Sequence, residues 1–245
     1  MKTFVLTIAF MLAWQGAIAQ GEEVKDFFFP MGGKVILKGE GTMSPFVTNY
    51  TYSGDTLFVD EYVDNSKVST ELQKLDISHQ EVKIMRADYT SHEGADSGKD
   101  SIPRPLLILP EANGTTEPWC YKETPDTNQY IIPDCKGIVE QWRYRDMWKS
   151  DLECTAKRVT IALHIGGKLE DVAAIEVTEL CRFVNVVGEE CSWGYKYYWV
   201  KNYGLTFVLV QADLYYTFEN KALPIYHMMQ YNHSVMDSAE YHIKG

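Results

Sequence analysis

Five cysteines, six histidines and 34 acidic residues are the groups in this chain that could do chemistry. Their spacing argues against most of it. Nucleophilic hydrolysis wants a serine on a strained G-x-S-x-G elbow or an S-x-x-K pair, and neither spacing occurs. Zinc chemistry usually announces itself by H-E-x-x-H or C-x-x-C, and both are missing. His79, His92, His164, His227, His233 and His242 are scattered singly, as unliganded surface histidines are. Asp96-Ser97-Gly98-Lys99-Asp100 resembles the start of a calcium loop, because hard cations want several oxygens and glycine permits the sharp turn. The later ligands, including a bidentate glutamate, do not follow, so the segment reads as a solvated loop. Calcium is expected only as a diffuse associate of an anionic surface, and no organic cofactor is indicated. The acidic pairs Asp60/Glu61, Glu170/Asp171 and Glu189/Glu190 have the groups for acid and base work, but nothing in the sequence places them in a cleft. The reading is therefore non-enzymatic.

Aromatic residues carry the stronger signal. The chain has 16 tyrosines, 10 phenylalanines and 6 tryptophans. Trp142, Tyr144, Tyr195, Tyr197, Trp199, Phe207, Tyr215 and Phe218 recur at strand spacing. Such stripes either fill a core, the commoner case, or line an apolar pocket whose polar groups would be tyrosine hydroxyls. Trp142, Tyr144, Tyr197, Trp199, Phe207 and Tyr215 are the candidate ligand-binding residues.

The elements that must position them are strands. Phe46, Thr48, Tyr50 and Tyr52 share one face and Val47, Asn49 and Thr51 the other, before a turn at Ser53-Gly54-Asp55 leads into Thr56 to Val63. Ile138, Trp142 and Tyr144 line one face of a second run. Val159, Ile161, Leu163 and Ile165 alternate inward, against Arg158, Thr160 and His164, up to Gly166-Gly167. The stretch after that turn fits helical and strand spacing alike, and its β-branched residues favour a strand. Tyr195 to Phe218 breaks at Asn202-Tyr203-Gly204, another hairpin. Residues 93–105 form the one polar, Gly/Ser/Asp/Pro-rich interruption, read as a surface loop within a single domain. The tail from Met228 to Gly245 is weakly patterned, suited to a short helix or a frayed end. The fold class expected is all-β: antiparallel curved sheets forming a sandwich or open barrel around a hydrophobic core or pocket.

Lys2, the apolar run Phe4 to Trp14 and Ala17-Ile18-Ala19 have the order of a secretory signal peptide over residues 1–19, leaving one secreted domain over 20–245. The apolar run is too short to span a bilayer, and no later stretch is longer. Sequons at Asn49, Asn113 and Asn232 fit a secreted glycoprotein. An oxidising compartment favours disulfides among Cys120, Cys135, Cys154, Cys181 and Cys191. Their odd number leaves one thiol, either buried and inert or bridging to another chain as a disulfide-linked oligomer, and connectivity stays open. A net charge of -11 argues against nucleic acid and anionic membrane surfaces as partners.

The order of short motifs resembles the ependymin-related secreted glycoproteins. Gly41-Thr42-Met43, Asn49-Tyr50-Thr51-Tyr52 and Leu57-Phe58-Val59-Asp60-Glu61 stand in the family's order, followed by Thr178-Glu179-Leu180-Cys181, Leu205 to Val210 and Ala222-Leu223-Pro224-Ile225. Arg182 stands where the family has proline after cysteine, and no cysteine follows Pro224, so the family's disulfide pattern does not carry over. The resemblance implies two stacked antiparallel sheets around a deep hydrophobic pocket, in an extracellular, non-enzymatic protein tied to calcium and to matrix or lipid contacts. The leading expectation is a secreted protein that binds a hydrophobic small molecule or lipid, or an extracellular-matrix partner. Two alternatives from other classes are a chromophore-binding secreted oxidoreductase or photoprotein and a structural matrix or adhesion component.

Overall fold

Two-residue turns with positive φ dictate tight hairpins, because their twist matches that of the strands they join. Gly166 and Gly167 lie at φ 59° and 76°, and Ile165 pairs with Lys168 across them. Asp64 and Asn65 do the same at 49° and 64°, joining Val63 to Ser66 in a hairpin that carries no glycine. The computed structural model describes residues 22–40, 46–91, 103–112, 114–123, 130–131, 142–144, 147–184, 190–213, 226–238 and 240–244.

One helical turn, α1 (Lys25–Phe28), precedes β1 (Lys34–Glu40), β2 (Phe46–Ser53), β3 (Thr56–Val63), β4 (Ser66–Ile77), β5 (Glu81–Ser91) and β6 (Arg104–Ile108). Then come β7 (Trp119–Glu123), β8 (Tyr130–Ile131), β9 (Trp142–Tyr144), β10 (Met147–Ile165), β11 (Lys168–Val184), β12 (Glu190–Val200), β13 (Gly204–Asp213), β14 (Tyr226–Asn232) and β15 (Tyr241–Lys244). Strand order in the single antiparallel sheet is β6-β5-β4-β3-β2-β1-β14-β13-β12-β11-β10-β7-β8. Two meanders, β1 to β6 and β10 to β14, are therefore welded by the non-local β1–β14 pairing. The free side of β10 is shared in turn by β9, β7 and β15.

The sheet curls. Leu57, Leu75, Val82, Ile84 and Leu107 from the first meander join one core cluster with Cys154, Ala156, Ile175, Val177 and Trp199 from the second. The connection between β6 and β7 ties the two edges together: Arg158 Nε donates to Pro110 O at 2.9 Å, and Thr116 N to Ala156 O at 2.8 Å. A second core lies on the opposite face of β10 to β14, where Ile161, Leu163, Tyr198, Val200, Phe207 and Tyr231 are buried beneath Met236 and Tyr241 of the C-terminal segment. The strand expected for the ambiguous stretch is β11.

Two expectations are corrected. The tail is neither helical nor frayed at its start, because β14 lies in mid-sheet and β15 adds to β10. The polar loop also ends earlier than residue 105, since Arg104 and Pro105 belong to β6, an edge strand, where a proline lacking its N–H is tolerated.

Segment 22–33 caps one end of the curled sheet. Val24, Phe27 and Phe28 are fully buried. Val24 N donates to His79 O at 2.9 Å, Asn202 N to Asp26 O at 2.7 Å and Met31 N to Asn202 O at 3.0 Å. Glu22 adds ion pairs to Arg158 and Lys201. Gly204 is required beneath this cap, for a Cβ there would sit 3.1 Å from Phe28 O at a φ of 69°.

Candidate functional site

Alternation in β12 sends Tyr195, Tyr197 and Trp199 to the inner face and Tyr198 and Val200 to the outer one. Cross-strand register turns each inward residue into part of a rung. One rung runs Trp119, Cys154, Glu179, Tyr195 across β7, β10, β11 and β12. The next toward α1 runs Ala156, Val177, Tyr197, Val208, and the one after it contains Ile175, Trp199 and Leu205. The first meander contributes Thr48, Glu61, Ser69, then Tyr50, Val59, Glu71, then Tyr52, Leu57, Gln73.

The inner face is consequently graded. Near α1 it is aromatic and apolar: Phe28 stacks on Trp199 with centroids 5.2 Å apart and meets Tyr52 edge-on at 5.3 Å. Farther from the cap it becomes polar. Glu71 Oε1 accepts from Gln73 Nε2 at 2.7 Å and from Arg86 Nε at 3.1 Å. Glu61 Oε2 accepts from the Ser69 hydroxyl at 2.7 Å, and among the described residues no basic side chain pairs with Glu61. The Tyr195 and Tyr197 rings stack at 5.7 Å.

The two walls of this tier face each other. Burial pushes the Tyr195 hydroxyl upward, and the carboxylates of Glu179 and Glu61 push it further. Four strands separate β3 from β12 in the sheet order, and curling puts Leu57 and Val59 of β3 in one core cluster with Trp199 of β12, against which Tyr50 and Tyr195 pack. Burial likewise raises Tyr50, with Glu61 and Glu71 adding to it, and raises Tyr52. Tyr197 is raised by burial and by Glu179, with Arg104 opposing. Burial also raises the Cys154 thiol, which Glu179 reinforces and Arg104 offsets. A thiol so placed is a poor nucleophile.

Buried donors on this inner face without a partner among the described residues include the Tyr52 hydroxyl, the indole N–H groups of Trp119 and Trp199, and Nδ2 of Asn232. Trp119 is 8% exposed and Trp199 2%. An unmade hydrogen bond at such a depth costs about 1–3 kcal/mol, so several on one face call for an explanation.

Of the candidates named from sequence, Tyr197 and Trp199 lie on this face. Phe207 does not. It pairs with Tyr198 and stacks on it at 4.2 Å in the outer core, while the extra residue Thr206 shifts the register so that Leu205 meets Trp199. Grouping Phe207 with Tyr197 and Trp199 is corrected accordingly. Trp142 and Tyr144 belong to β9, whose side chains are not described, and Tyr215 lies outside the described residues. Sequence reading passed over Trp119, Glu71, Glu179 and Arg86, which reach the face only through pairings distant in the chain. The pair Asp60/Glu61 is split by alternation: Asp60 faces outward to Lys67 at 2.7 Å, and Glu61 faces inward.

The sequons differ in placement. Asn49 sits on the outer face, as alternation predicts. Asn232 is fully buried, opposite Leu37 of the inner core, and Asn113 lies outside the described residues. The folded chain therefore covers the Asn232 side chain. Cys154 is a free, buried thiol, whereas Cys135 and the side chains of Cys120, Cys181 and Cys191 are not described. Among the described residues no group of three His, Cys, Asp or Glu is placed to hold a metal ion, and no helix is long and apolar enough to cross a membrane. Asp96 to Asp100, where the calcium-loop fragment falls, lies outside the described residues.

No family model matches the chain, and neither does any curated protein or solved structure. The site must be argued from its own geometry.

Proposed function

We propose that this chain is a secreted, non-enzymatic protein that holds an apolar small molecule against the inner face of its curled sheet. The observation that carries the reading is that three of these unpartnered donors, Tyr52 Oη, Trp119 Nε1 and Trp199 Nε1, are set among apolar and aromatic side chains. That composition, mostly apolar with a few convergent polar groups, is what ligand sites in curved sheets use. A ligand oxygen would relieve donors that the fold leaves unsatisfied. The signal-like first 19 residues and the Asn49 sequon support the extracellular part of the proposal, and the resemblance to ependymin-related proteins points the same way.

Titration with a fluorescent polyene fatty acid tests it. Saturable quenching of tryptophan emission, weakened by Trp199→Phe and by Tyr52→Phe, is the expected result. A protein that shows no saturable quenching with any apolar probe does not have this function.

A further inference from the structure

The unpartnered atoms of the inner face share one property. Tyr52 Oη, Trp119 Nε1, Trp199 Nε1 and Asn232 Nδ2 all carry a hydrogen to donate, whereas the unpartnered amide oxygen of Asn49 lies on the outer face of β2. Two of these donors meet at one ring. Phe28 of α1 stacks on Trp199 and is edge-on to Tyr52, so side chains from β12 and β2, with three strands between them in the sheet order, converge beneath the cap. Trp199 is 2% exposed, and the Tyr52 hydroxyl is covered although its residue is half-buried. With 26° between the stacked planes, the indole N–H points alongside the Phe28 ring, so the π face cannot accept it.

What the pair lacks is an acceptor, and the surroundings narrow its chemistry. Water would bring two hydrogens of its own into a tier lined by Leu57, Ile175 and Leu205, and an alcohol would bring one. A carboxylate accepts, but at this depth it needs a counter-charge. The basic side chains described at this end are committed to the outside of the cap: Arg158 and Lys201 pair with Glu22, and Lys25 and His79 with Glu23. A ketone or ester oxygen has two lone pairs, one for each donor, and brings neither a hydrogen nor a charge.

We infer that the ligand is a neutral carbonyl compound, its oxygen accepting from both Trp199 Nε1 and Tyr52 Oη beside Phe28 and its hydrocarbon lying along the rung of Val177, Tyr197 and Val208. This rests on the inner face being a ligand site, and it adds the chemistry of the head group and the place where that group sits.

Calorimetric titration of the full chain at pH 7 with 2-decanone, 2-methyl-1-decene and decanoate, each below its solubility limit, separates the two readings. The alkene has a methylene group in place of the ketone oxygen, so hydrophobic transfer alone ranks it above the ketone. The expected order is the reverse, with the ketone tightest and the alkene and decanoate each weaker by about tenfold. Tyr52→Phe and Trp199→Phe should each cut the ratio of ketone to alkene affinity by about threefold, and circular dichroism establishes that both variants fold. Without ligand, the unfolding midpoint of Tyr52→Phe should equal or exceed that of the parent chain, because the hydroxyl removed is one that the fold leaves unsatisfied. A lowered midpoint means that the hydroxyl has a partner within the fold, and it overturns the inference. If the alkene or decanoate binds as tightly as the ketone, or either variant keeps the full ratio, the shared carbonyl is wrong while the apolar site stands. If none of the three binds, both readings fall.

Discussion

The Tyr198 hydroxyl donates a 2.9 Å hydrogen bond to Oε2 of Glu176, and Lys157 Nζ lies 3.1 Å from Oε1 of the same carboxylate. These three residues are consecutive in a cross-strand row over β10, β11 and β12, beneath the ring of Tyr241. Glu176 is 3% exposed, so its charge is tolerable only because neighbouring strands deliver donors to it. Tyr198→Phe keeps the ring stacked on Phe207 and removes only the donor. The expected cost is about 1–3 kcal/mol in urea unfolding. Lys157 is 48% exposed on its side chain and exchanges its partner for water, so Lys157→Met should cost less than about 1 kcal/mol. Equal losses in the two variants would show that the hydroxyl is not the critical donor.

Stability should decline at alkaline pH for a reason distributed over the sheet. Tyr50, Tyr52, Tyr195, Tyr197, Tyr198 and Tyr241 all have hydroxyls raised above the ordinary value of 10.0, with burial as the first cause in each. A raised folded value means that the folded state keeps protons which the unfolded state gives up. Their contribution is complete below pH 10 and is lost as pH rises beyond it. Phenolate absorbance should therefore rise in two stages, exposed tyrosines first and these six at higher pH, the most deeply buried, Tyr198, only together with loss of near-ultraviolet ellipticity. A single reversible stage with native ellipticity retained would contradict the burial of these rings.

Phe28 anchors the cap. It is fully buried, stacked on Trp199 and edge-on to both Phe29 and Tyr52. Phe28→Ala should cost about 3–5 kcal/mol and shift Trp199 emission to the red as water reaches the indole. Destabilisation without a change in emission would mean that Trp199 is shielded by other residues.

Local features were legible because they are set within one hairpin. The turn at Ser53-Gly54-Asp55, the diglycine turn after Ile165 and the break at Asn202-Tyr203-Gly204 each show in a few residues, and each joins the strands expected. β14 was not legible. Its sequence, YHMMQYN, lacks β-branched residues, and it becomes a strand only because β1 and β13 present open edges on either side of it. The inner face divides in the same way. Tyr197 and Trp199 were found by period 2 within β12, but the packing of Leu57 and Val59 of β3 into one core with Trp199 depends on curling that no window of sequence contains. Phe207 was misgrouped because period 2 fixes faces within a strand, while the face shared by two strands depends on register.

Cys154 should behave as an inert thiol. It is 3% exposed, and burial together with Glu179 holds it protonated above the usual thiol range. A small alkylating reagent at pH 8 should leave Cys154 unmodified in the folded protein and label it fully in guanidinium, as read by peptide mass spectrometry. Rapid native labelling would place the thiol on an accessible path into the inner face.

Asn232 supplies the sharpest contrast between sequence and fold. Asn232-His233-Ser234 satisfies the sequon rule, yet the Asn232 side chain is fully buried on the inner face, and its Oδ1 accepts from Ser234 N at 3.0 Å. That bond shapes the turn leaving β14, so the side chain has a structural task incompatible with carrying a sugar. Asn49, by contrast, lies on the outer face of β2 and is half-buried, with its Oδ1 covered. Chain expressed through a secretory pathway should therefore show glycan at Asn49 and none at Asn232. Asn232→Gln should leave the glycoform mass pattern unchanged while lowering stability by about 1–2 kcal/mol, since the longer amide neither fits the buried site nor holds the turn. Glycan at Asn232 would require that the acceptor be modified before β14 pairs with β1, and the modified chain would then be unable to close its sheet at the β1–β14 pairing that joins the two meanders.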